Sequence, residues 1–171
     1  MKITNYFTAF FLIFFALSCS ESPISSNAEK MTLQEIKKIS GFQWFNSEWS
    51  SYETNSEFVD SMRTVYDPLK HTFLLFVKPS CTCPGIHNYF PKFAKALDAA
   101  GVNESNYEIF MMNSINNNHP NEDIVDLNFL PAFYVLKYGN PVYSVMDTFD
   151  LRATDEMTPI LEELIFEGLQ K

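Results

Sequence analysis

An α/β fold, with a central mixed β-sheet flanked by helices, is what this 171-residue sequence predicts. Three patterns carry that expectation. His71 to Val77 is an unbroken apolar run of strand length, bounded by polar residues, as a strand covered on both faces requires. An amphipathic segment follows, with Ile86, Tyr89, Phe90, Phe93, Ala94 and Leu97 on one side, and then a second short strand from Tyr107 to Met112. Further on, Leu130-Pro131 leads into Ala132 to Lys137, Tyr138-Gly139-Asn140-Pro141 turns the chain, and Val142 to Met146 returns as the second arm of a hairpin. With 46% hydrophobic and 16% aromatic residues and no internal repeat, the chain can bury one core of ordinary size, so a single domain is expected.

The remaining elements follow in chain order. Thr32 caps a short helix through Lys38, with Glu35 completing a capping box and Gly41 stopping it. Phe42 to Phe45 begins a strand. Asn55 or Ser56 opens a helix over about residues 56–67, with Phe58, Val59, Met62, Val65 and Tyr66 on one face, ending before Pro68 because a residue ahead of proline avoids the helical region. Asn116 to Pro120 is a polar loop and Glu122 to Leu127 a short helical turn. Thr154 or Asp155 starts a C-terminal helix that turns Ile160, Leu161, Leu164 and Ile165 inward and ends near Gly168. Trp44, Phe45, Trp49 and Tyr52 are assigned to the core, since large aromatics near a domain edge usually cover it, and so is at least one of Met111 and Met112.

The N-terminus reads differently. Lys2 supplies a positive end, and Phe7 to Leu17 an apolar run too short for a comfortable membrane anchor, which is the pattern of a targeting signal. With Ala16-Leu17-Ser18-Cys19 at its end, residues 1–18 resemble a bacterial lipoprotein signal, although that family usually has leucine where Ala16 stands. The resemblance implies cleavage before Cys19, acylation of Cys19 (palmitate is one such acyl group), and a domain held by its lipid at a membrane of the bacterial cell envelope, in the periplasm or at the cell surface. Ser20 to Glu29, rich in Ser, Asn, Pro and Glu, has almost nothing to bury and reads as a flexible tether, so residues 19–41 are tether and short helix. The net charge of −9, or −10 without residues 1–18, repels nucleic acid and excludes it as a partner.

The chemistry-bearing residues lie in Lys78-Pro79-Ser80-Cys81-Thr82-Cys83-Pro84-Gly85, directly between the apolar strand and the amphipathic helix. Two cysteines there fit a static disulfide, a redox pair, or a thiolate metal site completed by His87 or His119. His87 otherwise reads as a solvated surface residue and His119 as a polar loop residue. Pro131 reads as a trans-proline opening an edge strand or as a cis-proline.

Cysteines at a strand end before a helix, Leu-Pro before a hairpin, the Gly139 turn and a closing helix together resemble the thioredoxin superfamily over residues 42–171. That resemblance implies a thioredoxin-like three-layer fold and assigns roles. Cys81 would be the nucleophile, its thiolate favoured at the mouth of a helix, and Cys83 the resolving thiol. Leu130 and Pro131 would bind substrate by presenting an extended backbone edge. The chain departs from the family pattern in having one residue, Thr82, between its cysteines rather than two, in Ser80 where an aromatic commonly stands, and in Leu75 where thioredoxins proper often keep a buried acid. A disulfide closed over so small a ring is strained and more reducible, which implies an oxidant or isomerase rather than a reductant. The resemblance thus points to an envelope thiol–disulfide oxidoreductase acting on protein thiols and disulfides, with no organic cofactor. Two alternatives remain: a thioredoxin-fold copper chaperone using Cys81, Cys83 and His119, and a redox-inactive binding module on the same scaffold.

Overall fold

The computed structural model describes residues 27–39, 43–78, 86–154 and 156–171, without the side chains of residues 43 and 86–88. Five strands form one sheet in the order β1-β3-β2-β4-β5, where β1 is Glu29–Met31, β2 His71–Val77, β3 Tyr107–Met111, β4 Ala132–Lys137 and β5 Asn140–Ser144. β2 runs parallel to β3, and the other neighbours are antiparallel. The sheet is therefore mixed, and β2, its central strand, spans the residues of the apolar run.

Side-chain alternation divides the core in two. Phe73, Leu75, Val77, Ile109, Phe133 and Val135 face one way and join a cluster supplied by helices. These are α1 (Leu33–Ile36), α2 (Gln43–Ser51), α3 (Ser56–Val65), α4 (Ile86–Ala99), α5 (Val145–Arg152) and α6 (Leu161–Leu169). Leu74, Phe76, Phe110, Tyr134 and Leu136 face the other way, where Met112, Val125 and Leu127 cover them. The described residues thus place helices on one face and the irregular 113–131 segment on the other. Within that segment the expected helical turn is a single turn, in which the Ile124 and Val125 N–H groups both donate to the Asn121 carbonyl.

The helix starts follow their side chains. Thr32 Oγ1 accepts from the Glu35 N–H at 3.2 Å while Glu35 Oε2 accepts from the Thr32 N–H at 2.8 Å, so the capping box is present and holds the Glu35 carboxyl below its ordinary range. Asn55 Oδ1 accepts from the N–H groups of Glu57 and Phe58, which fixes the start of α3.

Four expectations need correction. Phe42 to Phe45 does not begin a strand: α2 starts at Gln43, because Phe45 and Trp49, one turn apart, stack at 5.7 Å and Phe45 meets Phe90 of α4 at 5.1 Å. Lys95 then closes that helix end by donating to the carbonyls of Trp49 and Tyr52. The stretch before Thr32 is not all tether, since Glu29–Met31 pairs with the edge of β3 and the Ala28 N–H donates to the Asn118 carbonyl at 2.8 Å. β5 stops at Ser144, and α5 follows with Val145, Met146 and Phe149 buried on one face. The last helix starts at Leu161, not at Thr154 or Asp155. Thr154 and Met157 bond each other in a turn, and Pro159 disfavours helical geometry at Thr158.

Two close fits position the hairpin. Tyr138 and Gly139 carry φ values of 54° and 79°, the pair of positive angles that a tight two-residue β-turn needs. Gly168 lets α6 lie against the sheet, because a Cβ there would stand 2.6 Å from Val135 Cγ2.

Candidate functional site

The described residues on either side of the predicted site lie at the end of the sheet where β2 stops and β4 begins. Cys81 and Cys83 lie outside the described residues, as does Cys19. Their flanks are described: Val77 ends β2 four residues before Cys81, and Ile86 opens α4 three residues after Cys83. The strand end is fixed, since Val77 is buried in the helix-side core and its carbonyl accepts from the Met112 N–H at 2.8 Å.

Pro131 stands beside that end. β4 opens at Ala132, which pairs with Phe76 of β2, so Pro131 stands directly before the residue that faces the last but one position of β2. Pro131 is buried and its bond from Leu130 is cis. Leu130 is half-buried against the second-face core. The structure therefore brings the proposed substrate-binding dipeptide to the strand end from which the cysteine segment departs.

His119 reaches the same end on the second face, its ring 4.8 Å from that of Phe76. Its Nδ1 accepts from the Asn121 N–H at 3.3 Å and its own N–H donates to Glu122 Oε1 at 2.8 Å. Burial holds its pKa below the ordinary histidine value. With Nδ1 occupied by this hydrogen bond, Nε2 is the ring nitrogen that a metal would use. Among the described residues no group of three His, Cys, Asp or Glu side chains is arranged to hold a metal ion. The His87 side chain is outside the description. Leu75 is fully buried in the helix-side core, Met112 is buried on the opposite face, and Met111 packs half-buried on the helix side.

Two buried polar residues escaped the sequence reading. Glu162 is fully buried: Tyr52 Oη donates to its Oε1 at 2.6 Å and the Asn55 N–H to the same atom at 3.2 Å, while Oε2 has no hydrogen-bond partner among the described residues. Burial and this carboxylate push the Tyr52 phenol well above its usual range, so it remains a proton donor. The available signal was the helical stripe Glu162, Ile165, Leu169, whose other two members are buried. His71, at the opposite end of β2 from the cysteine segment, is 3% exposed. Its Nδ1 accepts from the Asp67 N–H at 3.1 Å, and Nε2 has no hydrogen-bond partner among the described residues.

His71 sets a pH dependence. Burial lowers its pKa, with the Lys137 charge adding to the effect, below the ordinary 6.5. The folded state then resists a proton that the unfolded chain accepts, so the stability supplied by the neutral ring is complete above about pH 6.5 and is lost as pH falls through the lowered folded value. Urea unfolding of the native chain between pH 7 and pH 5 is expected to show a steeper decline than that of His71→Phe; parallel declines would assign the effect to other groups.

Comparison with models of known protein families, with curated proteins and with solved structures finds no match to this chain.

Proposed function

We propose that the chain is a thioredoxin-like thiol–disulfide oxidoreductase of the bacterial cell envelope, anchored by lipid at Cys19, with protein thiols and disulfides as substrates. The observation that supports this most is the position of buried Pro131 directly before Ala132, which pairs with Phe76 one residue from the end of β2, the strand that leads in sequence to Cys81 and Cys83. The order of β2, cysteine segment and α4, on a sheet where β2 is parallel to β3 and antiparallel to β4, supports it further.

The chemistry is a two-electron exchange. The Cys81 thiolate attacks one sulfur of a substrate disulfide, forming a mixed disulfide and expelling the second substrate sulfur as a thiolate that takes up a proton. The Cys83 thiolate then attacks Cys81 Sγ, the mixed disulfide breaks, and the first substrate sulfur leaves. The substrate has gained two electrons and the protein has become the Cys81–Cys83 disulfide. Run backwards, the same steps oxidise a substrate dithiol, the direction that a strained small-ring disulfide favours. The unpaired N–H groups at the start of α4 favour the thiolate in either direction. Leu130 and Pro131 supply the edge that receives the partner chain.

A redox titration tests the proposal. Equilibrating the full chain in dithiothreitol buffers and counting free thiols should show two thiols leaving and returning together. The potential should lie above the roughly −270 mV of a reducing thioredoxin, with a tenfold change in ratio per about 30 mV. Two thiols that remain free across the range would favour the redox-inactive module.

A further inference from the structure

The sheet fixes where the N-terminal chain enters the domain. Glu29, the first residue of β1, pairs with Met111, and Met111 pairs in turn with Val77, so Glu29 lies in one row across the sheet with the last residue of β2. Neighbouring strands stand about 4.8 Å apart, which separates the two positions by about 10 Å. Because β1 is antiparallel to β3, the chain before Glu29 continues past this same end of the sheet. The contacts run the same way: the Ala28 N–H donates to the Asn118 carbonyl at 2.8 Å, and Asn27 bridges to Asn118, next to His119, whose ring meets Phe76. The opposite end of β2 begins at His71, about 20 Å from Val77 at the usual rise of a strand. There Leu69 is 89% exposed and the Tyr138 N–H donates to the Lys70 carbonyl.

That entry point limits where an anchored domain can stand. Asn27 follows Cys19 by eight residues, and eight residues span at most about 26–29 Å when fully extended. A lipid on Cys19 therefore keeps the end of the sheet at which β2 stops close to the bilayer, while the end carrying Leu69 can stand a strand length further out. Cys81 follows Val77 by four residues, at most about 13–14 Å of chain. Even with every segment stretched outward, Cys81 then lies no more than about 50 Å from the lipid headgroups. We propose, resting on the lipid anchor and the thiol exchange put forward above, that the partner is itself held at the membrane: a protein whose cysteines lie close to the bilayer surface. Two partners confined to one shallow layer meet at an effective concentration in the millimolar range for short tethers, which a freely diffusing protein matches only when it is itself that concentrated. The exchange is the one already written, with the membrane-held protein as the dithiol or disulfide.

The test places the acylated chain on vesicles of phosphatidylethanolamine and phosphatidylglycerol and takes two readouts. The first needs no thiol chemistry. With Cys81→Ser and Cys83→Ser in place, a fluorescent donor is attached at Asn116→Cys, an exposed position two residues from Asn118, or at Leu69→Cys, and energy transfer to an acceptor lipid is measured. Transfer should be greater from position 116 than from position 69, and equal or reversed transfer would overturn the proposal. The second readout compares, on the unsubstituted chain, one disulfide peptide in three forms: joined to a lipid by a short spacer, joined by a stiff helical spacer of about 100 Å, and free in solution. At equal surface density the short-spacer peptide should exchange about tenfold faster or more than the long-spacer one. Equal rates with the two, alongside exchange with the free peptide, overturn this inference alone. Exchange with none of the three overturns the oxidoreductase reading, and failure of the chain to sit on vesicles overturns the anchor; each takes the inference with it.

Discussion

Cys81→Ser is expected to bring insulin-disulfide turnover by the full chain down to the uncatalysed rate, while Cys83→Ser stops after one step and accumulates a mixed disulfide. The first attack needs an ionised sulfur, and a serine hydroxyl stays protonated at neutral pH, so the loss in Cys81→Ser is complete. In Cys83→Ser the attacking thiolate survives and only its resolution is missing, so the substrate remains attached and appears as a mass increase removed by dithiothreitol. The two outcomes assign the roles separately. Exchange of one sulfur for one oxygen should leave the unfolding free energy of the reduced protein, from urea titration, within about 0.5 kcal/mol of native, which separates lost chemistry from lost fold. Turnover by Cys81→Ser at the native rate would refute the mechanism, and a stable adduct on Cys81→Ser instead of Cys83→Ser would reverse the roles.

What was legible in the sequence was what local pattern alone decides. β2 and β4 were read with their observed bounds, because a strand buried on both faces leaves an unbroken apolar run whatever its partners are. The Thr32–Glu35 box and the Asn55 cap were legible because each is completed within three residues. β1 was not, since its partner lies about 80 residues away and three residues reading Glu-Lys-Met carry no strand pattern of their own. Residues 43–51 carry an aromatic run compatible with strand or helix, and the contact between Phe45 and Phe90 of α4 decides it. α5 was hidden because Val145 and Met146 extend the apolar run of β5, and its helical face shows only with Phe149.

The same division holds for the functional residues. Leu130-Pro131 before a strand announced its own position, directly ahead of Ala132, which pairs with Phe76 near the end of β2. Glu162 announced itself only by sharing a helical stripe with Ile165 and Leu169, and an acid in the first turn of a helix ordinarily serves the helix dipole from the surface. Its burial depends on Tyr52, 110 residues earlier in the chain, whose place was itself hidden behind the misread α2. A polar residue whose partner is distant in the chain is paired with it only once the packing is known.

Phe93→Ala should remove about 3–5 kcal/mol of stability, the usual cost of emptying a fully buried phenylalanine site. Phe93 is fully buried on the helix-side face, midway along α4, where it meets Phe73 of β2 edge-on at 6.3 Å and Phe133 of β4 at 4.5 Å. It therefore ties α4 to β2, which leads in sequence to the cysteine segment, and to β4. The rings around it are themselves fully buried and packed on other side chains, so they cannot collapse readily into the space, which argues for the upper part of the range. Since whole domains are stable by only about 5–15 kcal/mol, a large share of the total is at stake. Urea unfolding should show a lower midpoint at an unchanged slope, because the surface exposed on unfolding barely alters. Phe93→Leu, which refills most of the volume, should recover more than half of the loss. A cost below about 1 kcal/mol for Phe93→Ala would mean that α4 is not seated on β2 and β4 through this residue, since surface substitutions fall in that range.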